Sequence, residues 1–182
     1  MIDNLILLGA IGVPCAIVGL FAAGAYRREF TVPEGYAGLL YRHGHFARVL
    51  PSGWHLRWGD GWTLESQDLR EMPLVIAGYE VLTRDDVPIR VSLVLTYRVS
   101  DPAKAITEVQ NWHGELLHYV QLALRSAVSE LPSEAALGAP VGLGLHVFER
   151  LQSATLKIGV TAQAIEVKGV DLPITLQGRD AD

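Results

Sequence analysis

His43 and His45, one residue apart, are the first side chains whose types suggest chemistry. In an extended loop they would offer two imidazoles to one metal ion. A metal site is defined by ligand number and geometry, and nothing nearby in the sequence supplies a third ligand, so the pair reads as a solvated turn. His113 and His118 are five apart, off the i,i+4 spacing that sets two ligands on one helix face. Cys15, the single cysteine, lies in an apolar run with no base beside it, a poor setting for a nucleophile. A lone cysteine also excludes an internal disulfide framework and a Cys-rich zinc site. Gly142-x-Gly144 follows no strand pattern and has no third glycine, which a dinucleotide loop requires. Asp60, Asp85 and Asp86 fall in turn signals, where Asp satisfies local backbone groups. There is no GxSxG, no HExxH and no P-loop. The chain therefore nominates no catalytic residue, no cofactor and no metal ligand. A hydrolase would need a positioned nucleophile and base that these residues do not provide.

The remaining candidates are for contact rather than catalysis. Trp54, Trp58 and Trp62 are three of the four tryptophans and fall within one short stretch. Tryptophan suits the headgroup depth of a bilayer, where an amphipathic ring has one end apolar and the other wet. It suits an ordinary β core as well, and both readings stand at this level. Arg57 lies among them, and Arg27-Arg28 precede them; all three have the charge to meet lipid phosphate.

These residues must be positioned by elements, and composition bounds those elements. The chain has 182 residues, 15 Lys+Arg against 20 Asp+Glu, and a net charge of −5. That length holds one domain with an appendage. The acidic balance excludes the basic face of a nucleic-acid binder. A hydrophobic fraction of 49% is high for a small soluble domain, and the excess sits at the N-terminus. Leu5–Tyr26 runs without a charge, and at about 1.5 Å per residue a helix of that length reaches roughly 33 Å, enough to span a hydrocarbon core. The reading is a spanning helix. The small pairs Gly12/Ala16 and Gly19/Ala23 are generic membrane composition. Pro14 leaves a re-entrant hairpin as the alternative, though each arm would be too short to cross alone. Ala23-Gly24-Ala25 resembles a signal-peptide cleavage site, but Asp3 and the absence of Lys or Arg before the apolar run oppose it. Arg27-Arg28 directly after the segment orient the following chain toward the cytoplasm. The division is an anchor over residues 1–28 and a domain over 29–182.

Within that domain the periodicity is two, then 3.6, then two again. Gly35–Arg42, Phe46–Leu50 and Trp54–Trp58 read as strands. Gly59-Asp60-Gly61 reads as a tight hairpin, and Trp62–Ala77 as extended chain broken near Pro73. Val87–Val99 is the clearest strand: Ile89, Val91, Leu93, Leu95, Tyr97 and Val99 share a face. Arg84-Asp85-Asp86 connects it to Tyr79–Thr83 as a long hairpin. Asp101-Pro102 starts a short helix to about Val109. A longer helix covers about Gly114–Leu131, with Leu117, Val120, Leu124 and Leu131 at helical spacing. Pro132-Ser133 reads as a short turn, Gly138–Gly144 as a glycine-rich break, Leu145–Ile158 as a third helix and Val160–Leu172 as a final strand. The class is α+β, antiparallel strands with about three helices behind an N-terminal transmembrane helix.

Six segments, in order, resemble the SPFH/Band 7 family of stomatins, slipins, prohibitins and flotillins. They are Val32-Pro33-Glu34-Gly35-Tyr36-Ala37-Gly38, which resembles the family's entry strand, and the turn Pro51-Ser52-Gly53-Trp54-His55, here with Ser52 inserted. The hairpin Tyr79–Ile89 around Leu82-Thr83-Arg84-Asp85-Asp86-Val87-Pro88 and the junction Tyr97-Arg98-Val99-Ser100-Asp101-Pro102 follow. The helix Leu124-Arg125-Ser126-Ala127-Val128-Ser129-Glu130-Leu131 and the closing strand Gly159–Pro173 complete the set. The resemblance covers nearly the whole chain after the apolar segment. It implies a non-enzymatic, membrane-anchored scaffold that self-associates, organises lipid microdomains, and regulates membrane proteases or channels, with an NfeD-type membrane partner among the candidates. On that basis membrane contact is expected at Trp54, Arg57, Trp58, Trp62, Arg27 and Arg28. Assembly is expected through the Gly114–Leu131 helix, at Leu117, Leu124 and Arg125. Family members continue after this point into a long charged helix, whereas here Asp171-Leu172-Pro173 is followed by nine residues ending in Asp182. The expectation is lateral contact between domains, or a mixed oligomer with longer relatives. The alternative is a non-assembling adaptor that binds one membrane protease or channel.

Overall fold

The computed structural model describes residues 27–173. The expected spanning helix Leu5–Tyr26, with Pro14 and Cys15, lies outside them. Among the described residues no helix is long and apolar enough to cross a membrane. The chain divides into two compact units between Asp68 and Leu69.

The first unit holds five strands: β1 (Arg27–Val32), β2 (Tyr36–Arg42), β3 (His45–Leu50), β4 (Gly53–Trp58) and β5 (Trp62–Asp68). β1 pairs antiparallel with β4 as a two-stranded ribbon, and β3-β2-β5 form a three-stranded sheet. The apolar centre is Val32, Leu40 and Leu50, with Phe30, Tyr36, Trp62 and Leu64 packed on it. Gly38 sets the spacing there. A Cβ at that position would lie 2.7 Å from Val32 Cγ2 and 2.8 Å from Leu64 Cδ1, so any larger residue would force the layers apart. The opening segment 32–38 is not one strand: Tyr36 N–H donates to Pro33 O at 3.2 Å and turns the chain.

Two expectations fail in this region. Gly59-Asp60-Gly61 predicts a β4–β5 hairpin, yet β4 pairs with β1 and β5 with β2. Gly59 and Gly61 both adopt positive φ, +97° and +73°, and the turn they make carries the chain from the ribbon to the edge of β2 rather than back along β4. Pro73 is not the break in Trp62–Ala77. The break falls at 69–71, and Pro73 lies inside β6 (Met72–Leu82). β6 is an edge strand, where a missing N–H is tolerated.

The second unit is a three-stranded antiparallel sheet in the order β6, β7 (Pro88–Val99), β8 (Val160–Asp171). Ile89, Val91, Leu93 and Leu95 are fully buried and Tyr97 and Val99 nearly so, as their alternation predicts. Burying side chains of this size stabilises a fold by roughly 1.5–3 kcal/mol each. A bulge interrupts the β6–β7 register between Ile76 and Tyr79, where Gly78 N–H donates to Ser92 Oγ at 3.0 Å. The helices are α1 (Pro102–Thr107), α2 (Trp112–Ser129), α3 (Ser133–Gly138) and α4 (Pro140–Thr155). Helix α2 starts earlier than periodicity predicts, because Asn111 Oδ1 accepts from Gly114 N–H at 3.0 Å and caps it. α3 forms where a short turn is expected. The expected glycine break at 138–144 is confined to Ala139: Gly138 ends α3, Pro140 opens α4, and Gly142 and Gly144 continue it. Gly144 is buried, and its missing side chain faces Val167 and Ile165 of β8. Packing on the sheet offsets the weak helix propensity of glycine there.

Candidate functional site

The β1–β4 ribbon collects five of the six residues expected at a membrane. Its register sets Arg27 opposite Trp58, Arg28 opposite Arg57, Glu29 opposite Leu56 and Thr31 opposite Trp54. Cross-strand partners share a face, and successive residues alternate faces. One face therefore carries Trp54, Leu56 and Trp58 with Arg27, Glu29 and Thr31. The other carries Arg28, Phe30, Val32, His55 and Arg57. Phe30 and Val32 belong to the unit's core, so the tryptophan face is the outer one. Trp54 and Trp58 are 57% and 58% exposed. Arg27 is held at 2.7 Å to Glu29. Trp62, on β5, is only partly exposed: its Nε1–H donates to Trp58 O at 3.0 Å, and the Arg42 guanidinium lies 5.2 Å from its ring centroid. Arg57 Nη1 donates to Leu56 O at 3.1 Å, while its buried Nε has no acceptor.

The assembly residues separate. Arg125 is exposed and lines a polar groove of about 500 Å³ with Tyr79–Arg84, Asp86 and Ser129. Leu117 is partly buried against the core. Leu124 is corrected: it is 0% exposed in the second unit's own core and offers nothing to a neighbouring chain. Helical spacing marked it as apolar-facing, and the face it marks is the one α2 spends on the sheet.

A model of the SPFH domain / Band 7 family matches residues 30–181. The chain belongs to the SPFH/Band 7 family. It is 34% identical over 110 residues to a stomatin homologue of Pyrococcus horikoshii, covering 60% of this chain and 41% of that protein. Mouse stomatin is 31% identical over 110 residues, covering 60% and 39%. An uncharacterized protein of Methanocaldococcus jannaschii matches more evenly, 26% identical over 158 residues, with coverage of 86% and 79%. The chain thus spans about two fifths of the length of the stomatins it matches.

In this SPFH domain the motif residues hold the fold together. The Asp85 carboxylate accepts from Thr83 Oγ (2.6 Å), Ser133 N–H (2.9 Å) and Ser133 Oγ (2.6 Å), joining the β6–β7 turn to the start of α3. Those hydrogen bonds, Ser133 first and Thr83 next, lower its pKa from 3.8 to about 2. Asp101 Oδ1 caps α1 through Lys104 N–H at 3.2 Å. Ser100 and Asp101 N–H both donate to Gly159 O at 2.9 Å. Gly159 adopts φ +70°, and a Cβ there would collide with Asp101 O.

The histidines do not converge. His43 N–H donates to Gly61 O at 2.8 Å within a turn, and His113 Nδ1 lies 3.4 Å from Tyr97 Oη. Burial raises the Tyr97 pKa. Among the described residues no group of three or more His, Cys, Asp or Glu is placed to hold a metal ion. Periodicity did not point to an apolar groove of about 390 Å³ between α4 and β8, lined by Val141, Gly144, Leu145 and Phe148. Val141 and Leu145 are 78% and 62% exposed. Val141 lay within the stretch read as a glycine break and Leu145 at the start of the helix read after it, so their shared face was not legible.

Proposed function

We propose that this SPFH protein is a membrane-anchored scaffold: within the anchor segment 1–28, Leu5–Tyr26 cross the bilayer in a single pass, and the domain that follows faces the cytoplasm and rests on the headgroups. The observation that carries this reading is the exposed Trp54/Trp58 face on a ribbon whose first residue, Arg27, directly follows the apolar run ending at Tyr26. Two large rings displayed together are costly in water and favourable at a wet apolar boundary. Its role is physical rather than catalytic. Self-association, alone or with longer relatives, multiplies weak bilayer contacts by effective concentration and would let the assembly organise lipid and neighbouring membrane proteases or channels.

The test uses the full chain reconstituted in vesicles that contain bromine-labelled lipids, which quench tryptophan at headgroup depth. Most quenching is expected to disappear in the Trp54→Ala/Trp58→Ala variant. Unchanged quenching in that variant sinks the membrane face.

A second reading is a non-assembling adaptor for one membrane protease or channel, including an NfeD-type partner. It is favoured by the polar groove beside Arg84 and Arg125, whose side chains have no ion pair among the described residues. Arg125 is the contact residue in either case.

A further inference from the structure

The ribbon register holds a charge conflict. Arg28 and Arg57 stand directly opposite on one face, where cross-strand Cβ atoms are about 4.5–5.5 Å apart and like charges destabilise the pairing. No carboxylate of the ribbon shares that face. The other residues of that ribbon face are Phe30, Val32 and His55, none acidic, and His55 Nε2 is engaged by Pro51 O at 2.8 Å. Glu29 lies on the opposite face with Arg27. Among the described residues the Arg28 side chain makes no ion pair or hydrogen bond. Arg57 spends Nη1 on the carbonyl of its own neighbour, and its Nε is shut off from solvent without an acceptor. A buried donor left without an acceptor destabilises the fold, more so when it is charged. Two arginines in register, with donors to spare and no carboxylate on their ribbon face, lack one thing: a bridging anion.

We infer that Arg28 and Arg57 clamp a phosphate monoester. Its two negative charges match the two cations, and its oxygens suit the planar fork of guanidinium donors. A diester phosphate carries one charge and satisfies the pair less well. Resting on the membrane reading above, which puts Arg28 just beyond the bilayer-spanning segment, the source is a lipid headgroup ending in a phosphomonoester, such as phosphatidic acid. Free inorganic phosphate shares the chemistry. The tryptophans would then supply depth, and the arginine pair, at the ribbon end that directly follows the apolar run, would choose the lipid.

The experiment titrates the full chain in maltoside micelles with short-chain phosphatidic acid, short-chain phosphatidylglycerol and inorganic phosphate, reading tryptophan fluorescence, since Trp58 adjoins Arg57. Phosphatidic acid is expected to bind saturably and about tenfold more tightly than phosphatidylglycerol. Arg28→Gln or Arg57→Gln is expected to weaken it about tenfold, and the double variant to lose the preference. A merely structural arginine would lower the melting midpoint when replaced. Arg28→Gln should instead leave the ligand-free midpoint unchanged or raised, because one of two repelling charges is gone. Inorganic phosphate binding as tightly as phosphatidic acid, and lost in the same variants, would support the clamp and assign it to free phosphate. Absence of saturable binding by either monoester, or binding unaltered in the double variant, overturns it. The two ideas separate cleanly. Bromolipid quenching without monoester binding leaves the membrane face and removes the clamp. Monoester binding without quenching does the reverse.

Discussion

At Asp85, two hydroxyls and one amide converge on a single carboxylate. This is the behaviour of a turn residue taken further than usual. Beyond its own backbone, it ties the β6–β7 turn to a helix start 48 residues away. Its pKa falls from 3.8 to about 2 because the ionised form accepts those bonds. The sign follows: a depressed folded pKa means the stabilisation is fully present above pH 3.8 and is lost as pH falls through about 2. The melting midpoint of the protein is therefore expected to drop across that window. Asp85→Asn should melt lower at neutral pH and show a shallower drop between pH 3.8 and 2. Equal slopes for the two proteins would show that the carboxylate does not carry the effect. The same scale explains why the sequence motif was recognisable: Thr83, Asp85, Asp101 and Gly159 are each the residue type their local geometry requires.

Among the elements, α2 separates apolar spacing from interface. Leu116, Val120, Ala123, Leu124, Ala127 and Val128 are its buried stripe, which satisfies the amphipathic pattern within the unit itself. Leu124→Ala is expected to cost about 2–5 kcal/mol, as large-to-small changes in a packed core do, by chemical denaturation followed in circular dichroism. Loss of oligomer mass without loss of stability would return Leu124 to the interface. The exposed side of α2 carries Leu122 and Arg125. The three-stranded sheet leaves one edge of β6 and one of β8 unpaired within the unit, and unpaired edges are either protected or used.

For the whole molecule, scaffold and adaptor differ in mass. Size exclusion with light scattering of the full chain in mild detergent is expected to give a discrete oligomer, and Arg125→Glu is expected to shift it toward smaller species. A monomer that gains mass only with a stoichiometric membrane partner would favour the adaptor. The two units lend themselves to separate tasks in either case. The first displays its tryptophans and unpaired arginines on a two-stranded ribbon. The second holds the larger core, two grooves and the exposed Arg125.

The change from strands to helices and back to a final strand, the cap at Asp101 and the buried face of β7 were determined by the sequence alone, whereas β1 and α3 were not. The former depend on residue type, on periods of 2 and 3.6, and on interactions within a few positions. The six ordered motifs were legible for the same reason. Only the tertiary structure decided that β4 leaves β5 and pairs with β1, that Gly142 and Gly144 stay helical, and that Leu124 faces inward. Each depends on partners distant in sequence: β1 for β4, β8 for Gly144, the sheet for α2. The opposition of Arg28 and Arg57 belongs to this second class. Separated by 28 residues, they meet only because a register places them, and no local pattern encodes a register between strands that a three-stranded sheet interrupts.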